Sequence, residues 1–475
     1  MGSKYPILPL VDLVTIHDTK RKPITKSKRV PGDYPYYGAS GITDYVEGFI
    51  FDGLYVLLAE DGDNLRTRNT PIAFIAQGKF WVNNHAHVLK GVDDLDTQYI
   101  CYALQYAEIE SYISGSTRPK ITQGDLKKIP ISAPSIEIRH AIAKFISEFD
   151  KKIELNRQTN QTLEQMAQAL FKSWFVDFDP VFDNLLASAD FKLENLETSL
   201  PDQLKQKAQR RLAALNSLHN AAEIKTSLSA LAHELQAQLP TKEATQAAVK
   251  ISEKAAETPV KPNFNANPKI LAQHANTHAH FPSEFEHNEQ LGWIPKGWKQ
   301  KYLSDLLEVK YGKDHKKLDD GKYPVYGSGG LMRYAESFLY DGESVLIPRK
   351  GTLSNIMHIN GSFWTVDTMF YTIPKVPKVA KFMFYHLKAL DFAAMNVGSA
   401  VPSMTTKVLN SLEMLFPSVE VLSRFDRVIE NYFNKIYFNK LNINQLESLR
   451  NTLLPKLISG ELQIPDLANI SDTNT

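Results

Sequence analysis

Short apolar and aromatic runs predict β-strands in two separate stretches of the chain. The runs are β-branched or aromatic, and Asp-Gly, Asn or Gly-Lys turn signals separate them. In the first stretch they are residues 49–51, 55–58, 72–75 and 80–82, and in the second they are residues 344–347, 356–359, 363–366 and 369–373. A helical pattern follows in each stretch, at residues 98–112 and 379–392. We therefore expect two similar mixed α/β modules in a chain of the α+β class.

Each predicted module is followed by a long helix with a heptad seam. Apolar residues and asparagines recur in alternating steps of four and three, which is typical of a coiled coil. The first series is Ile142, Ile146, Phe149, Ile153, Asn156, Asn160, Leu163, Ala167, Leu170 and Trp174, and the second is Phe425, Ile429, Tyr432, Ile436, Asn439, Ile443, Leu446, Arg450, Leu453 and Leu457. We expect the second helix to end at Pro455 and Gly460. A helix of about 35 residues is roughly 50 Å long, too long for the core of a small domain, so we expect the two helices to pair as an antiparallel coiled coil.

Three asparagines interrupt the apolar seam, namely Asn156, Asn160 and Asn439. If the helices pair antiparallel about their midpoints, Asn160 falls opposite Asn439, and the two amides can satisfy each other and fix the register. The alternative is that each helix packs separately on its own module and that the asparagines face water.

The two modules are copies of one another. Residues 34–62 align without a gap on residues 323–351, and roughly 13 of about 29 aligned positions are identical. A second block, residues 116–175, aligns on residues 399–458 at a constant offset. Solenoid repeats have much shorter periods of roughly 20 to 50 residues, so we interpret the pattern as a duplicated domain.

The repeat sets the expected domain boundaries. A segment between the copies has no counterpart after the second helix, and we expect helices in residues 203–239 and an extended linker in residues 258–268. The predicted segments are the first module at 1–137, the first long helix at 138–178, the helical insertion and linker at 179–290, the second module at 291–418, the second long helix at 419–462 and a tail at 463–475.

Composition predicts a soluble, cytoplasmic protein. The chain has 475 residues, 43% of them hydrophobic, which is enough for several packed domains. Cys101 is the single cysteine, so we expect no disulfide framework and a buried, apolar thiol in a reducing compartment. The first residues have no sustained apolar core of signal-peptide length, so we expect no signal peptide, and no apolar run reaches the roughly 18 to 20 residues that a membrane span needs.

The formal net charge is only +1, so binding to nucleic acid would need local positive patches. Two patches stand at corresponding places ahead of the repeated block. The first contains Lys20, Arg21, Lys22, Lys26, Lys28 and Arg29, and the second contains Lys313, His315, Lys316 and Lys317. A charged run is commonly a solvated loop, but its recurrence in both copies favours a function.

The usual catalytic motifs are missing from the sequence. It has no phosphate-binding Gly-x-x-x-x-Gly-Lys-Ser/Thr loop, no Gly-x-Gly-x-x-Gly, no His-Glu-x-x-His and no Asn/Asp-Pro-Pro-aromatic tetrapeptide of the amino-methyltransferases. The acidic residues at 60–63 align with Arg349-Lys350-Gly351, so we interpret them as an acidic turn. We predict no metal site, either there or at the histidines His85, His87, His274, His278, His280 and His287.

Three motifs resemble the specificity subunit of type I restriction-modification systems. They are Leu170-Phe-Lys-Ser-Trp-Phe-Val-Asp-Phe-Asp-Pro180, Trp293-Ile-Pro-Lys-Gly-Trp298 and Leu453-Leu-Pro-Lys-Leu-Ile-Ser-Gly-Glu-Leu462. The resemblance covers nearly the whole chain except the insertion. It implies two target-recognition domains that each read one half of a split sequence in double-stranded DNA, with the long helices as an antiparallel spacer between them.

The same resemblance implies the partners of the chain. Two methyltransferase subunits would dock on the long helices and carry S-adenosylmethionine, and separate restriction or motor subunits would use ATP and Mg. No cofactor is therefore expected in this chain. The insertion is longer than a simple connection needs, which leaves the spacing between the two half-sites open.

Loop residues are the expected DNA contacts, because side chains at base edges read the sequence while phosphate contacts position the protein. In the first module they are Tyr37, Arg66, Arg68, Thr117, Arg118, Lys120 and Thr122, and in the second they are Tyr326, Arg349, Lys350, Ser403, Thr405, Thr406 and Lys407. The alternative is that these are ordinary surface residues and that the tyrosines pack inside the modules.

Three functions are compatible with the sequence. The preferred hypothesis is a non-catalytic subunit that reads DNA within a multisubunit enzyme. A coiled-coil assembly protein whose modules bind protein is the second. A stand-alone nuclease or methyltransferase is the third, and it would need a carboxylate cluster or a methyltransferase tetrapeptide, neither of which is repeated here.

Overall fold

The computed structural model describes residues 3–196, 200–218, 220–237, 276–392, 394 and 403–464. The chain divides into two compact units, of which unit 1 comprises residues 1–160 and 437–475 and unit 2 comprises residues 161–436. Both long helices cross this division, so each unit contains one module and part of each helix. The predicted linker at 258–268 and nearly all of the predicted tail lie outside the described residues.

Unit 1 is built around a mixed six-stranded sheet. The described residues of the whole unit form eight strands, which are β1 (Ile7–Pro9), β2 (Thr15–Ile16), β3 (Pro31–Gly38), β4 (Gly41–Val46), β5 (Phe51–Ala59), β6 (Ala73–Val82), β7 (Ala86–Lys90) and β8 (Pro130–Ser132). The helices of the unit are α1 (Asn64–Thr67), α2 (Asp94–Tyr106), α3 (Gln123–Leu126) and the first part of α4 (Ile136–Phe175). The sheet has the order β2-β7-β5-β6-β3-β4, with β3 parallel to β6 and the other neighbours antiparallel. β1 pairs separately with β8, and α2 packs on β5 and β6.

Unit 2 repeats this arrangement after the insertion. Its helices are the end of α4, α5 (Asp179–Ser188), α6 (Asp202–Asn216), α7 (Ala221–Ala237), α8 (Leu303–Leu306), α9 (Val379–Lys388), α10 (Thr406–Asn410) and the beginning of α11 (Val419–Ser459). Its strands are β9 (Phe285–Asn288), β10 (Gly292–Pro295), β11 (Lys299–Tyr302), β12 (Leu307–Tyr311), β13 (Asp320–Gly327), β14 (Gly330–Ala335), β15 (Tyr340–Pro348), β16 (Met357–Thr365), β17 (Met369–Pro374) and β18 (Glu413–Phe416). The sheet order β12-β17-β15-β16-β13-β14 matches that of unit 1 strand for strand, and β11 pairs with β18 as β1 pairs with β8.

Glycines keep two strands continuous where the sequence predicted separate strands. The predicted runs at 72–75 and 80–82 belong to the single strand β6, and those at 356–359 and 363–366 belong to β16. Gly78 has a φ of 79° and pairs in register with Gly53, while Gly361 has a φ of 117° and pairs with Gly342. Because glycine adopts positive φ without steric cost, the ladder continues through these positions.

The two long helices have 40 and 41 residues. The expected end of α11 at Gly460 is confirmed, since the helix continues to Ser459 and Gly460 follows with a φ of 75°, but Pro455 does not end it. Pro455 removes one backbone donor, but Leu454, Leu457 and Ile458 around it are buried in the core of unit 1. Their burial offsets the lost hydrogen bond.

In unit 1 the two helices run antiparallel. Asn439 Nδ2 donates to Asn160 Oδ1 at 2.9 Å, and Asn156 Nδ2 donates to Asn442 Oδ1 at 2.8 Å. Residue numbers therefore rise along α4 while they fall along α11. The side chains do not simply face water, because Asn156 and Asn439 are only 6% and 4% exposed.

The ends of the long helices complete the hydrophobic core of each unit. In unit 2, Phe171, Trp174 and Phe175 of α4 all pack their rings against Phe425 of α11. The aromatic motif that closes the first long helix therefore belongs to the core of the second module.

A buried lysine ties the module of unit 2 to α11. The Lys381 ammonium lies 2.9 Å from Glu343 on β15, 2.8 Å from Asp426 and 2.5 Å from Glu430, and its side chain is 5% exposed. Three carboxylates converge on it, and Glu343 also contacts His358 at 2.8 Å. A buried cation with this many charged partners is fixed in place by them.

The insertion has its own small core and a buried polar cluster. Phe182, Leu186 and Leu204 are among the apolar residues that α5, α6 and α7 bury together. Asp183 is fully buried and accepts two hydrogen bonds of 2.7 Å from Arg211, and it lies 3.0 Å from His278. His278 thus closes a structural cluster, whereas His274 lies outside the described residues.

Two further expectations concern burial and membranes. Cys101 is buried, as predicted, and burial raises the pKa of its thiol to about 12. Within the part of the chain that the structure describes, no helix combines the length and apolarity needed to cross a membrane.

Candidate nucleic-acid interface

Two loops of unit 1 are joined into one surface beyond the end of β5. The turn at residues 60–68 contains α1, and the loop at residues 114–122 leads into α3; together they are named the loop pair of unit 1. Backbone hydrogen bonds connect them, from Ile121 N to Glu60 O at 2.8 Å and from Gly62 N to Pro119 O at 3.0 Å. The second loop is closed on itself by two bonds of 2.8 Å between Ser114 and Lys120.

Carboxylates at the start of the turn hold basic side chains of the loop. Glu60 lies between Arg21 at 2.6 Å and Lys120 at 3.1 Å. Asp61 lies between His85 at 2.8 Å and Arg118 at 3.0 Å. The side chains of Arg118 and Lys120 are still 66% and 48% exposed, so both cations are positioned yet accessible. Positioned side chains lose less entropy on binding a ligand than free ones do.

A group of potential metal ligands lies beneath this surface. Ligand atoms of Asp18, Glu60 and His87 are all within 4.8 Å of one another. Arg21 contacts both carboxylates, at 3.3 Å and 2.6 Å, and His87 Nδ1 lies 2.6 Å from Asp18. These contacts use the oxygen and nitrogen atoms that a metal would need, so the arrangement is that of a buried ion-pair network.

The two predicted arginines of the turn have different environments. Arg68 has a φ of 49°, and its guanidinium donates to the carbonyls of Gln105 and Ala107 at 2.8 Å each. These carbonyls lie at the C-terminal end of α2, where a cation is favourable. Arg66 instead forms an exposed ion pair of 3.3 Å with Glu110. The DNA contact of either arginine stays a prediction, and Arg68 has a structural role besides.

Four other predicted residues are tied into the modules. The ring of Tyr37 packs against Phe74 and Phe80, and Tyr326 packs against Phe363, so both tyrosines are half-buried beside the sheets. Thr122 accepts a hydrogen bond from Asp125 N and caps α3. Thr405 caps α10 in the same way through Val408 N. Thr117, by contrast, lies exposed in the loop pair of unit 1.

The loop pair of unit 2 has the same backbone frame with different side chains. It consists of residues 349–355 and 403–407. Met404 N donates to Arg349 O at 2.9 Å, which is the counterpart of the Ile121–Glu60 bond, and Lys350 forms a β-bridge with Ser403. The guanidinium of Arg349 lies 5.3 Å from the centre of the Tyr311 ring, whose hydroxyl is 3.2 Å from Thr406 Oγ1. Lys350 and Lys407 are exposed.

The basic patches are attached to the two sheets in the same way. Trp81 Nε1 donates to the carbonyl of Lys22 at 2.6 Å, and Trp364 Nε1 donates to the carbonyl of Lys313 at 2.9 Å. In the first patch Arg29 is engaged with Asp44 at 3.0 Å. The lysines Lys20, Lys22, Lys26, Lys28, Lys313, Lys316 and Lys317 are exposed. Each unit therefore holds one of these basic patches at an equivalent place, and the two patches are named the lysine-rich segments.

Sequence reasoning missed the residues that hold these surfaces in place. Trp81 and Trp364 gave a usable signal, because the same residue occupies equivalent predicted strands in both copies. Asp18 and His87 gave none, because they are 69 positions apart and meet only in the folded unit.

The fold and the loops define a class of protein. One architecture is used twice, and each copy presents positioned basic side chains on a shared backbone frame, which suits recognition of an extended anionic ligand with two different parts. Comparison with known proteins agrees with this. Residues 3–165 and 295–448 match the family described as type I restriction modification DNA specificity domain.

Individual relatives have the same description. The chain is 39% identical over 145 residues to a putative type I restriction enzyme specificity subunit of Haemophilus influenzae, covering 30% of this chain and 37% of that protein. It is 24% identical over 389 residues to the specificity subunit of the type I restriction enzyme HindI from the same organism, covering 75% and 74%. The crystal structure of a type I restriction-modification S subunit from M. genitalium superimposes with a TM-score of 0.54 at 16% identity, covering 96% of each chain. That likeness concerns the fold.

The family match covers well over half of the chain in two copies. The chain belongs to the type I restriction-modification specificity family, and it is a specificity subunit with two target-recognition domains, one in each unit.

Proposed function

We propose that this chain is the non-catalytic subunit that reads a split target in double-stranded DNA for a multisubunit modification and restriction enzyme. The loop pair of unit 1 reads one half-site and the loop pair of unit 2 reads the other. The observation that carries this proposal is the shared backbone frame with unlike side chains. Glu60 and Lys120 in unit 1 stand where Arg349 and Ser403 stand in unit 2, as two readers of different sequences require.

The lysine-rich segments would supply the contacts that do not depend on sequence. Lys22 and Lys313 are each fixed through their carbonyl by a tryptophan of the adjoining sheet. Lysines bind phosphates as point charges and place a protein on the duplex without reading bases. Since the chain is nearly neutral overall, these local patches would provide most of the electrostatic attraction.

The long helices would carry two methyltransferase subunits. Apolar side chains are exposed on both helices within unit 1, where Leu155, Tyr437 and Phe438 are 53%, 59% and 63% exposed. Large apolar groups in this setting are typical of a surface that another protein covers. Phe438→Ser should weaken co-purification with the methyltransferase subunit, whereas Lys440→Ser two residues further along should leave it intact.

The partner subunits would also supply the cofactors. S-adenosylmethionine would be bound by the methyltransferase subunits, and ATP with Mg by restriction or motor subunits. The sequence of this chain has no phosphate-binding or methyltransferase motif, which supports this division of labour.

The decisive experiment maps methylated adenines in DNA from cells that express this chain with its methyltransferase partner. The proposal expects a split motif with two specific halves. Arg118→Ala should relax base choice in one half only, and Lys350→Ala should relax it in the other. A continuous motif, or one that both variants alter in the same half, would contradict the two-reader proposal.

Salt dependence separates this proposal from a protein-binding role. The complex with the methyltransferase subunit should bind duplex DNA with an affinity that falls steeply as salt rises, because binding releases counterions. Absent or salt-insensitive binding would favour the alternative in which the coiled coil and its modules assemble proteins.

A further inference from the structure

A buried histidine attaches the loop pair of unit 1 to its sheet. His87 lies on β7 and is 1% exposed. Its Nδ1 atom is 2.6 Å from the Asp18 carboxylate, and its Nε2 atom is 2.9 Å from the carbonyl oxygen of Ile121. Ile121 is in the loop at 114–122, directly after Lys120. The ring therefore joins the sheet to the part of the loop that carries the expected DNA contacts.

Both nitrogens of the ring are engaged. A carbonyl oxygen only accepts hydrogen bonds, so Nε2 must carry a hydrogen and donate it to Ile121. Nδ1 faces the Asp18 carboxylate. Burial alone would raise the pKa of Asp18, but hydrogen bonds from His87 and from Val88 N, together with the charge of Arg21, lower it below its ordinary value. Asp18 thus holds one side of the ring, and the loop carbonyl holds the other.

The charged groups around the ring are paired with one another. Glu60 lies 3.8 Å from His87 Nδ1 and is itself paired with Arg21 and Lys120. Gln123 Nε2 is 3.4 Å from Asp18. Two carboxylates, Asp18 and Glu60, thus face two cations around the ring. Loss of the ring would remove the donor that it supplies to the Ile121 carbonyl.

In unit 2, an apolar residue occupies the position of the histidine. Phe370 occupies the place of His87 on β17, and it packs its ring 5.0 Å from that of Tyr311. Phe370 and Met404 are both buried, and Met404 is the counterpart of Ile121. The frame is therefore held by apolar contacts in unit 2 and by the hydrogen-bonded His87 ring in unit 1.

We propose that His87 is a positioning residue that holds the loop at 114–122 and thereby sets the reading of the first half-site alone. This inference rests on the proposed function, because it gives unit 1 a positioning residue that unit 2 lacks. Reading by unit 1 depends on the bridge that His87 forms between the sheet and the loop, and reading by unit 2 does not.

Hydrogen exchange of the full chain with its methyltransferase partner tests the positioning step without DNA. His87→Gln keeps a polar side chain but cannot reach Asp18 and the Ile121 carbonyl at once as the ring does. Protection of residues 114–122 should fall roughly ten- to a hundredfold, because the buried hydrogen bond to the Ile121 carbonyl is lost, while residues 403–407 of unit 2 stay unchanged. His140→Gln removes another histidine–carboxylate pair in the same unit, with Asp93 at 2.9 Å, and should not alter this segment.

A second variant keeps the proposal testable if His87→Gln folds poorly. The pair His87→Gln with Asp18→Asn replaces the ring and the carboxylate by two amides that can hydrogen-bond to each other, so it should recover protection of the loop. Equal protection in wild type and His87→Gln, or no recovery in the amide pair, would overturn the proposal.

The reading step is tested at the two half-sites that Arg118→Ala and Lys350→Ala identify. His87→Gln should lower discrimination in the half read by unit 1 and leave the other half unchanged. Lower protection of residues 114–122 with unaltered base discrimination would overturn the role of His87 in reading. Failure of the proposed function itself would look different, because the exchange result would stand while no split motif was found.

Discussion

Asn439 donates a hydrogen bond of 2.9 Å to Asn160 across the antiparallel helices of unit 1, and Asn439 is only 4% exposed. A second amide pair, Asn156 with Asn442 at 2.8 Å, lies one turn away on α4. Polar pairs of this kind stabilise less than leucines would, but a shift of register would leave their amides unsatisfied. The pairs therefore act on alignment more than on stability.

Replacing Asn160 and Asn439 together by leucine should raise the thermal midpoint while loosening the register. The midpoint is measured by calorimetry. Register is measured by electron spin resonance distances between spin labels attached at positions 157 and 447, because the native side chains Arg157 and Glu447 form an ion pair of 2.6 Å across the helices. The single change Asn439→Leu is the control, and it should destabilise by about 1–3 kcal/mol because Asn160 loses its partner. A lower midpoint for the double variant would argue against this role.

Arg68→Ala should destabilise unit 1 by about 1 kcal/mol, because the last carbonyls of α2 lose two hydrogen bonds. Arg66→Ala is the matched control, since its ion pair is exposed and its loss should change the free energy of unfolding little. In DNA binding, relaxation of one base position by about 1–3 kcal/mol would identify Arg68 as a base contact. A uniform loss on all sequences would identify a phosphate contact or an indirect effect of α2.

Lys381→Met should lower the stability of unit 2 by about 3–5 kcal/mol, because it leaves Glu343, Asp426 and Glu430 without their shared cation. Denaturant unfolding of the full chain measures this. Lys378→Met is the control, since Lys378 also contacts Asp426, at 3.2 Å, but its side chain is 57% exposed, and its loss should cost about 1 kcal/mol or less. Equal effects of the two changes would show that the buried lysine is not the anchor.

Acid should weaken unit 2 through Glu343. Burial alone would raise the pKa of Glu343, but hydrogen bonds from His358 and Lys381 lower it from about 4.5 to about 2. A carboxyl whose pKa is lower in the folded state stabilises the fold above its ordinary pKa, and this contribution is lost as the pH falls from about 4.5 towards 2. Glu343→Gln should flatten the stability profile in this range, and an unchanged slope would contradict the assignment.

Trp81→Phe and Trp364→Phe test the attachment of the lysine-rich segments. Each change removes the indole donor that holds the carbonyl of Lys22 or Lys313. We expect weaker binding to DNA of any sequence and a smaller salt slope, with base choice unchanged. Trp293→Phe, on β10 outside the lysine-rich segments, is the control. A change of base choice would place these tryptophans at the reading surface instead.

The repeat and the heptad seam allowed much of the fold to be predicted. The alignment of 34–62 on 323–351 anticipated two similar modules, and the asparagine spacing anticipated that Asn160 faces Asn439, although not that Asn156 pairs with Asn442. The strand breaks at Gly78 and Gly361 and the helix end at Pro455 were predicted wrongly, because local turn and breaker signals were outweighed by ladder pairing and by burial of Leu454, Leu457 and Ile458.

Sequence by itself determined that one architecture is used twice, that two long helices follow it, and which loops differ between the copies. These features are periodic or repeated, and so they are visible along the chain. Only the tertiary structure decided what holds the loops. Asp18 meets His87 and Glu60 meets Lys120 across large separations in sequence, while unit 2 places Phe370 at the position of His87. Such contacts depend on which strands become neighbours, and no local pattern encodes that.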